Sequence, residues 1–178
     1  MTERLWLVVG TFIAYTALYF LNDLLFSSLE FSAGVNWIYL PSGFRLMFVL
    51  LFVESGAIGV ALASIFLSSI FNFKGDLVSV MVTGLISGGA PYVARYVCHD
   101  KLGLDLDLRN LTVQKLIGVA FVFALLSASM HQVFFTWRGH TENFFSSTAV
   151  MFFGDIVGTV TMLYIAKFVL SGIRQKRL

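Results

Sequence analysis

Charge is what this chain has least of. Of its 178 residues only 12% are Asp, Glu, Lys or Arg, against 58% hydrophobic. That balance excludes a soluble domain of this size. It also leaves no basic patch interleaved with base-stacking aromatics, so no nucleic-acid partner is expected. Cysteine is reduced to Cys98, which rules out an intramolecular disulfide, and no Cys/His cluster has metal-ligand spacing. No metal and no cofactor is therefore expected. Polar sequence long enough for a kinase, cyclase or nucleotide-binding domain is missing. So is a phosphate-cradling glycine loop, or a serine with a base beside it, and the chain is not expected to be an enzyme. Barrel-type strand alternation is absent from the long runs. The first apolar run is too long for a signal peptide and no small-residue cleavage site follows it, so it reads as a span.

What remains is apolar sequence in runs near 20 residues, the length that crosses ~30 Å of hydrocarbon. The expectation is an all-α, polytopic transmembrane helix bundle in one integral membrane domain. Six spans are predicted, at 5–26, 35–53, 56–71, 77–97, 116–137 and 144–169. Glu54-Ser55-Gly56 reads as a tight turn between the second and third. Gly84, Gly88, Gly89 and Pro91 predict a kink and close packing in the fourth. Leucines alternating with polar residues over 102–108 predict a short strand or an interfacial segment. Asn110 or Thr112 is placed to cap the fifth helix.

Orientation follows from the basic residues. With the N-terminus cytoplasmic, the inside carries Arg4, Arg95, Lys101, Arg109, Lys115, Lys167, Arg174, Lys176 and Arg177, and the outside only Lys74 and Arg138. Both termini are then cytoplasmic, with Cys98 on the reducing side, and the chain is expected in a bacterial inner membrane as a multi-pass protein. The basic tail from Arg174 to Leu178 fits the same rule, with anionic-lipid contact in addition.

The chemistry concentrates at Trp37-x-x-x-Pro41-Ser42-Gly43-Phe44-Arg45. Pro41 has no N–H and disfavours a helical approach, so the helix breaks there. Arg45 lies inside the membrane and must find a carboxylate, carbonyls, water or a ligand. His131 extends the face set by Ala120, Ala124 and Ala128 and so points into the bundle. Asp155 sits beside Gly154, and Gly158 follows four residues after Gly154. By depth at ~1.5 Å per residue, Arg45, His131 and Asp155 all fall in the outer half of the bilayer. In a functional reading these groups line an outward-facing pocket for a small polar or anionic ligand, with Arg45 as the anion clamp. In a structural reading Arg45 and Asp155 form a buried pair that fixes helix register, and His131 is a satisfied core histidine. The candidate ligand-binding residues are Trp37, Pro41, Ser42, Gly43, Arg45, His131, Gly154 and Asp155.

Three of these stretches carry a resemblance. Trp37-x-x-x-Pro41-Ser42-Gly43 followed by Gly56-x-x-Gly59 resembles a segment of the bacterial membrane-associated sensor (MASE-type) domains. Phe153-Gly154-Asp155-x-x-Gly158 is similar to an element near their end, and Leu106-Asp107-Leu108-Arg109-Asn110-Leu111 to their linker. The resemblance implies ligand sensing in the membrane on behalf of a signalling output domain. This chain is shorter, with six spans where the family has more, and it ends at Leu178 without an output domain. The implied role is therefore signal reception acting in trans, through a partner signalling or membrane protein or a homo-oligomer. Six spans of this length also resemble the substrate-binding subunits of energy-coupling-factor transporters, a likeness of architecture. A transport subunit and a structural subunit of a membrane complex are the alternatives.

Overall fold

A computed structural model describes residues 2–175, with side chains through residue 168. It is an all-α bundle: α1 (Thr2–Phe26), α2 (Leu40–Phe52), α3 (Glu54–Leu67), α4 (Leu77–Leu102), α5 (Val113–Trp137) and α6 (Phe144–Gln175). Five helical segments are long and apolar enough to cross a bilayer. The chain is a multi-pass membrane protein. Lys176 and Arg177, in the predicted basic tail, lie outside the described residues, as does the side chain of Arg174.

The second span departs from expectation. Instead of one helix over 35–53, the chain makes a small antiparallel hairpin, β1 (Glu30–Ser32) and β2 (Val35–Asn36). A bent, non-helical stretch at 37–39 then leads into α2. Thirteen residues of helix cover only ~20 Å, too little for the hydrocarbon core. The non-helical residues ahead of it must supply the rest of the depth that one helix was expected to cover. Pro41 sits in the first turn of α2, where a missing N–H costs nothing.

Non-helical backbone at membrane depth must be satisfied by protein. Here α1 and α6 supply the partners. The Leu40 N–H donates to Asn22 Oδ1 at 2.9 Å and the Tyr39 N–H to the Gly154 carbonyl at 3.3 Å. Gly154 and Gly158 let the broken segment lie directly on α6. A Cβ at Gly154 would collide with the Asn36 carbonyl oxygen, and one at Gly158 with that of Tyr39. Further along, a Cβ at Gly43 would meet Thr159 Cα at 2.8 Å and Met162 Cβ at 2.6 Å. The two glycine-bearing motifs are halves of one seam, in which α2 and α6 run parallel.

Other differences are local. Val53 alone makes the turn between α2 and α3, with φ of 49°, and Glu54 already belongs to α3. No strand forms at 102–108; the leucines there serve a turn that buries Leu104. Thr112 caps α5, its hydroxyl accepting from the Lys115 N–H at 3.3 Å. Residues Ser68–Asn72 close α3 with a π turn. Helix α4 continues through Pro91, and its Gly84 and Gly88 face the backbone of Ala61 and Ala57 on α3.

The core lies between α2, α4 and α5, around Leu46, Ala90, Ala94, Val119 and Phe123. A second cluster joins α1 to α3 through Tyr15, Val60, Ala63 and Leu67. Gly59 meets Thr11, and Tyr19 meets Phe71, so α1 and α3 also run parallel. One end of the bundle thus carries the β hairpin, the 68–76 connection and the 138–143 loop. The opposite end carries the Val53 turn and the 103–112 loop. The first is called the hairpin end below.

Candidate functional site

The α2–α6 seam brings the intramembrane charges together. Arg45 Nη2 donates to Asp155 Oδ1 at 3.0 Å, with both side chains at most 2% exposed. The guanidinium stands over the rings of Tyr39 and Phe123, 5.4 Å from each centroid. Ser42 Oγ donates to the Asp155 backbone carbonyl at 2.7 Å and lies 3.0 Å from Thr159 Oγ1, pinning α2 to α6 beside the pair. Arg45 Nε and Asp155 Oδ2 nevertheless make no hydrogen bond among the described residues. The pair is joined by one bond of the two that a bidentate geometry would give.

His131 is buried on α5. Its Nδ1 lies 2.8 Å from the Ser127 carbonyl and must be the donor there. In the neutral ring, Nε2 is then the acceptor, facing Ser87 Oγ at 3.4 Å. Ser87 in turn accepts from Ser64 Oγ at 2.9 Å. A hydroxyl relay thus runs from α3 through α4 to α5.

These groups border a cavity of about 60 Å³. That is room for on the order of four water molecules, against roughly 300–1,000 Å³ for pockets that take drug-sized ligands. Its inner wall holds Tyr15, Tyr39, Arg45, Thr83, Ser87 and His131; towards the hairpin end it is bordered by Tyr19, Asn22, Asp23, Glu30, Asn36 and Asn72. Tyr15 and Tyr39 share a hydroxyl contact of 3.0 Å across the α1–α2 wall. Thr83 Oγ1 has no partner among the described residues although the residue is only 7% exposed.

The eight residues singled out in the sequence separate into three groups. Arg45 and His131 line the cavity. Ser42, Gly43, Gly154 and Asp155 stand behind it in the α2–α6 seam, with Pro41 buried at the start of α2. Trp37 lies on the surface, 48% exposed and edge-on to Phe31. Most of the lining was not anticipated. A signal for it exists: Tyr15, Tyr19 and Asn22 are spaced four and three apart on α1, Thr83 and Ser87 four apart on α4. Each set puts polar groups on one face of an otherwise apolar helix.

Outside the cavity, at the rim of the same end, Asp76 caps α4 by accepting from the Ser79 N–H at 3.1 Å and takes Arg138 Nη2 at 2.8 Å. Arg138, with the Ser79 hydroxyl and N–H, holds this carboxyl well below the usual carboxylate range. His140 Nε2 joins at 3.4 Å. The cluster ties the 138–143 loop to α4.

No protein-family model, no curated protein and no solved structure matches this chain.

Proposed function

We propose that this chain is a receptor-type integral membrane protein. It admits a small polar ligand at the hairpin end and conveys occupancy to a partner protein or to a second copy. The observation that carries the reading is the polar cavity that reaches the Arg45–Asp155 pair while leaving Arg45 Nε and Thr83 Oγ1 unpartnered. Buried polar groups are ordinarily satisfied. Arg45 and Thr83 both line the cavity, a ligand's acceptors that reach past its wall would complete them, and the small volume favours a compact ligand.

The same wall offers a route for the signal. Helix α1 is held across the cavity by Tyr15–Tyr39 and by Asn22 on the Leu40 N–H, while its outer face is largely exposed. A ligand that competes for these contacts shifts α1, the helix most free to meet a partner in the bilayer. Differential affinity for the two α1 positions is then the signal.

Native mass spectrometry of the gently solubilised chain tests this. A retained small molecule is expected, and Thr83→Val should lose it while leaving the ion pair, the Ser64–Ser87–His131 relay and the fold intact. A wild-type protein that retains nothing, and whose thermal midpoint no small polar compound raises, would overturn the reading. The Arg45–Asp155 pair would then be a register lock alone.

A further inference from the structure

The cavity is charged oppositely at its two ends. Arg45 stands at the inner wall, beside Tyr15 and Tyr39. Asp23 and Glu30 border the other end, together with Tyr19. Neither takes part in any ion pair among the described residues. Arg138, one of the two basic residues at this end, is already engaged by Asp76. Asp155 neutralises Arg45, so a simple anion entering the cavity meets more carboxylate than guanidinium. The unpartnered Arg45 Nε and the buried Thr83 hydroxyl still offer two donors to a ligand's acceptor group.

Resting on the receptor reading above, we infer that the ligand is a compact zwitterion of the ω-amino-acid class. Its carboxylate lies toward Arg45 Nε and Thr83, and its ammonium lies between Asp23 and Glu30. Spacing sets the class. Tyr15 and Asp23 are eight residues apart on α1, so the inner donors beside Tyr15 and the Asp23 carboxylate stand about 12 Å apart along the helix, of which the hydrogen bonds at the two ends together take about 6 Å. An α-amino acid carries its charges too close together to reach both. A chain of three or four methylenes spans the gap, and its bulk is of the order that a cavity for about four waters admits.

The test is a length series on the full solubilised chain: glycine, 3-aminopropanoate, 4-aminobutanoate and 5-aminopentanoate, with acetate and methylammonium as single-charge controls. Binding is read as the shift in thermal midpoint and by calorimetry. Affinity is expected to rise along the series to the four- or five-carbon member. Each control should bind roughly tenfold or more weakly than that member, as should the zwitterion to Asp23→Asn with Glu30→Gln. Both carboxylates are exposed, so that variant keeps its unliganded thermal midpoint. Acetate binding as well as the best zwitterion, or a double variant that binds it unchanged, would overturn the inference and leave the receptor reading standing. If no compound in the series binds while native mass spectrometry finds another retained molecule, the zwitterion falls alone. If nothing binds and nothing is retained, both readings fall.

Discussion

At the scale of single residues the molecule turns on Arg45 and Asp155. Two charges removed from water repay their desolvation only when paired, and breaking a buried pair leaves a charge with no compensation. Asp155→Ala is therefore expected to cost roughly 3–5 kcal/mol, read as the loss of denaturant midpoint in detergent. Arg45→Met combined with Asp155→Leu should be less destabilised than Asp155→Ala alone, because both charges leave together. A double variant worse than the single would mean that the pair does more than neutralise itself. Both residues were legible in the sequence because a charge inside an apolar run is conspicuous, and helical rise placed them at similar depth. Tyr15, Thr83 and Asn22 were not picked out, because hydroxyls and amides are common in membrane helices and only their i, i+4 spacing marks them.

At the scale of elements, the decisive feature is the fit of the broken second segment into α6. Its two motifs, more than a hundred residues apart in the chain, are explained by one surface: glycines on α6 receive the carbonyls of Asn36 and Tyr39, and Gly43 returns the contact. Gly154→Ala and Gly158→Ala must push the seam apart, at about 1–3 kcal/mol each as overpacking of a close contact. Gly89→Ala is the control. Nothing lies within 4 Å of a Cβ there, so relief of a mid-helix glycine should leave stability unchanged or raise it by up to ~1 kcal/mol. Equal losses at all three positions would mean that helix flexibility, not contact, is what the glycines provide. The sequence located the break at Pro41 but not its extent. Residues 35–53 are apolar enough to pass for one helix, and hydropathy does not distinguish an extended strand lying on a neighbour from a helical turn. The hairpin before it was missed for a related reason: two strands of three and two residues are too short to show alternation.

At the scale of the whole molecule, the all-α bundle was fully legible, since composition and run length alone demand it. What they do not give is which end of the bundle faces the cytoplasm, and the cavity's meaning depends on that. The hairpin end carries Lys74 and Arg138, whereas the opposite end gathers Arg4, Arg95, Lys101, Arg109 and Lys115. By the positive-inside rule the hairpin end, and the cavity with it, is expected to face away from the cytoplasm. Single cysteines in a Cys98→Ser background decide the matter, because Cys98 is buried and the exposed loop positions are free to react. Lys74→Cys and Glu142→Cys should be labelled by a membrane-impermeant maleimide on intact expressing cells, and Asp107→Cys only after permeabilisation. The reverse pattern would place Asp23 and Glu30 in the cytoplasm, so that the cavity samples cytosolic compounds and its partner must be sought on the other side. Labelling of all three on intact cells would mean that α4 and α5, which separate these positions, do not cross.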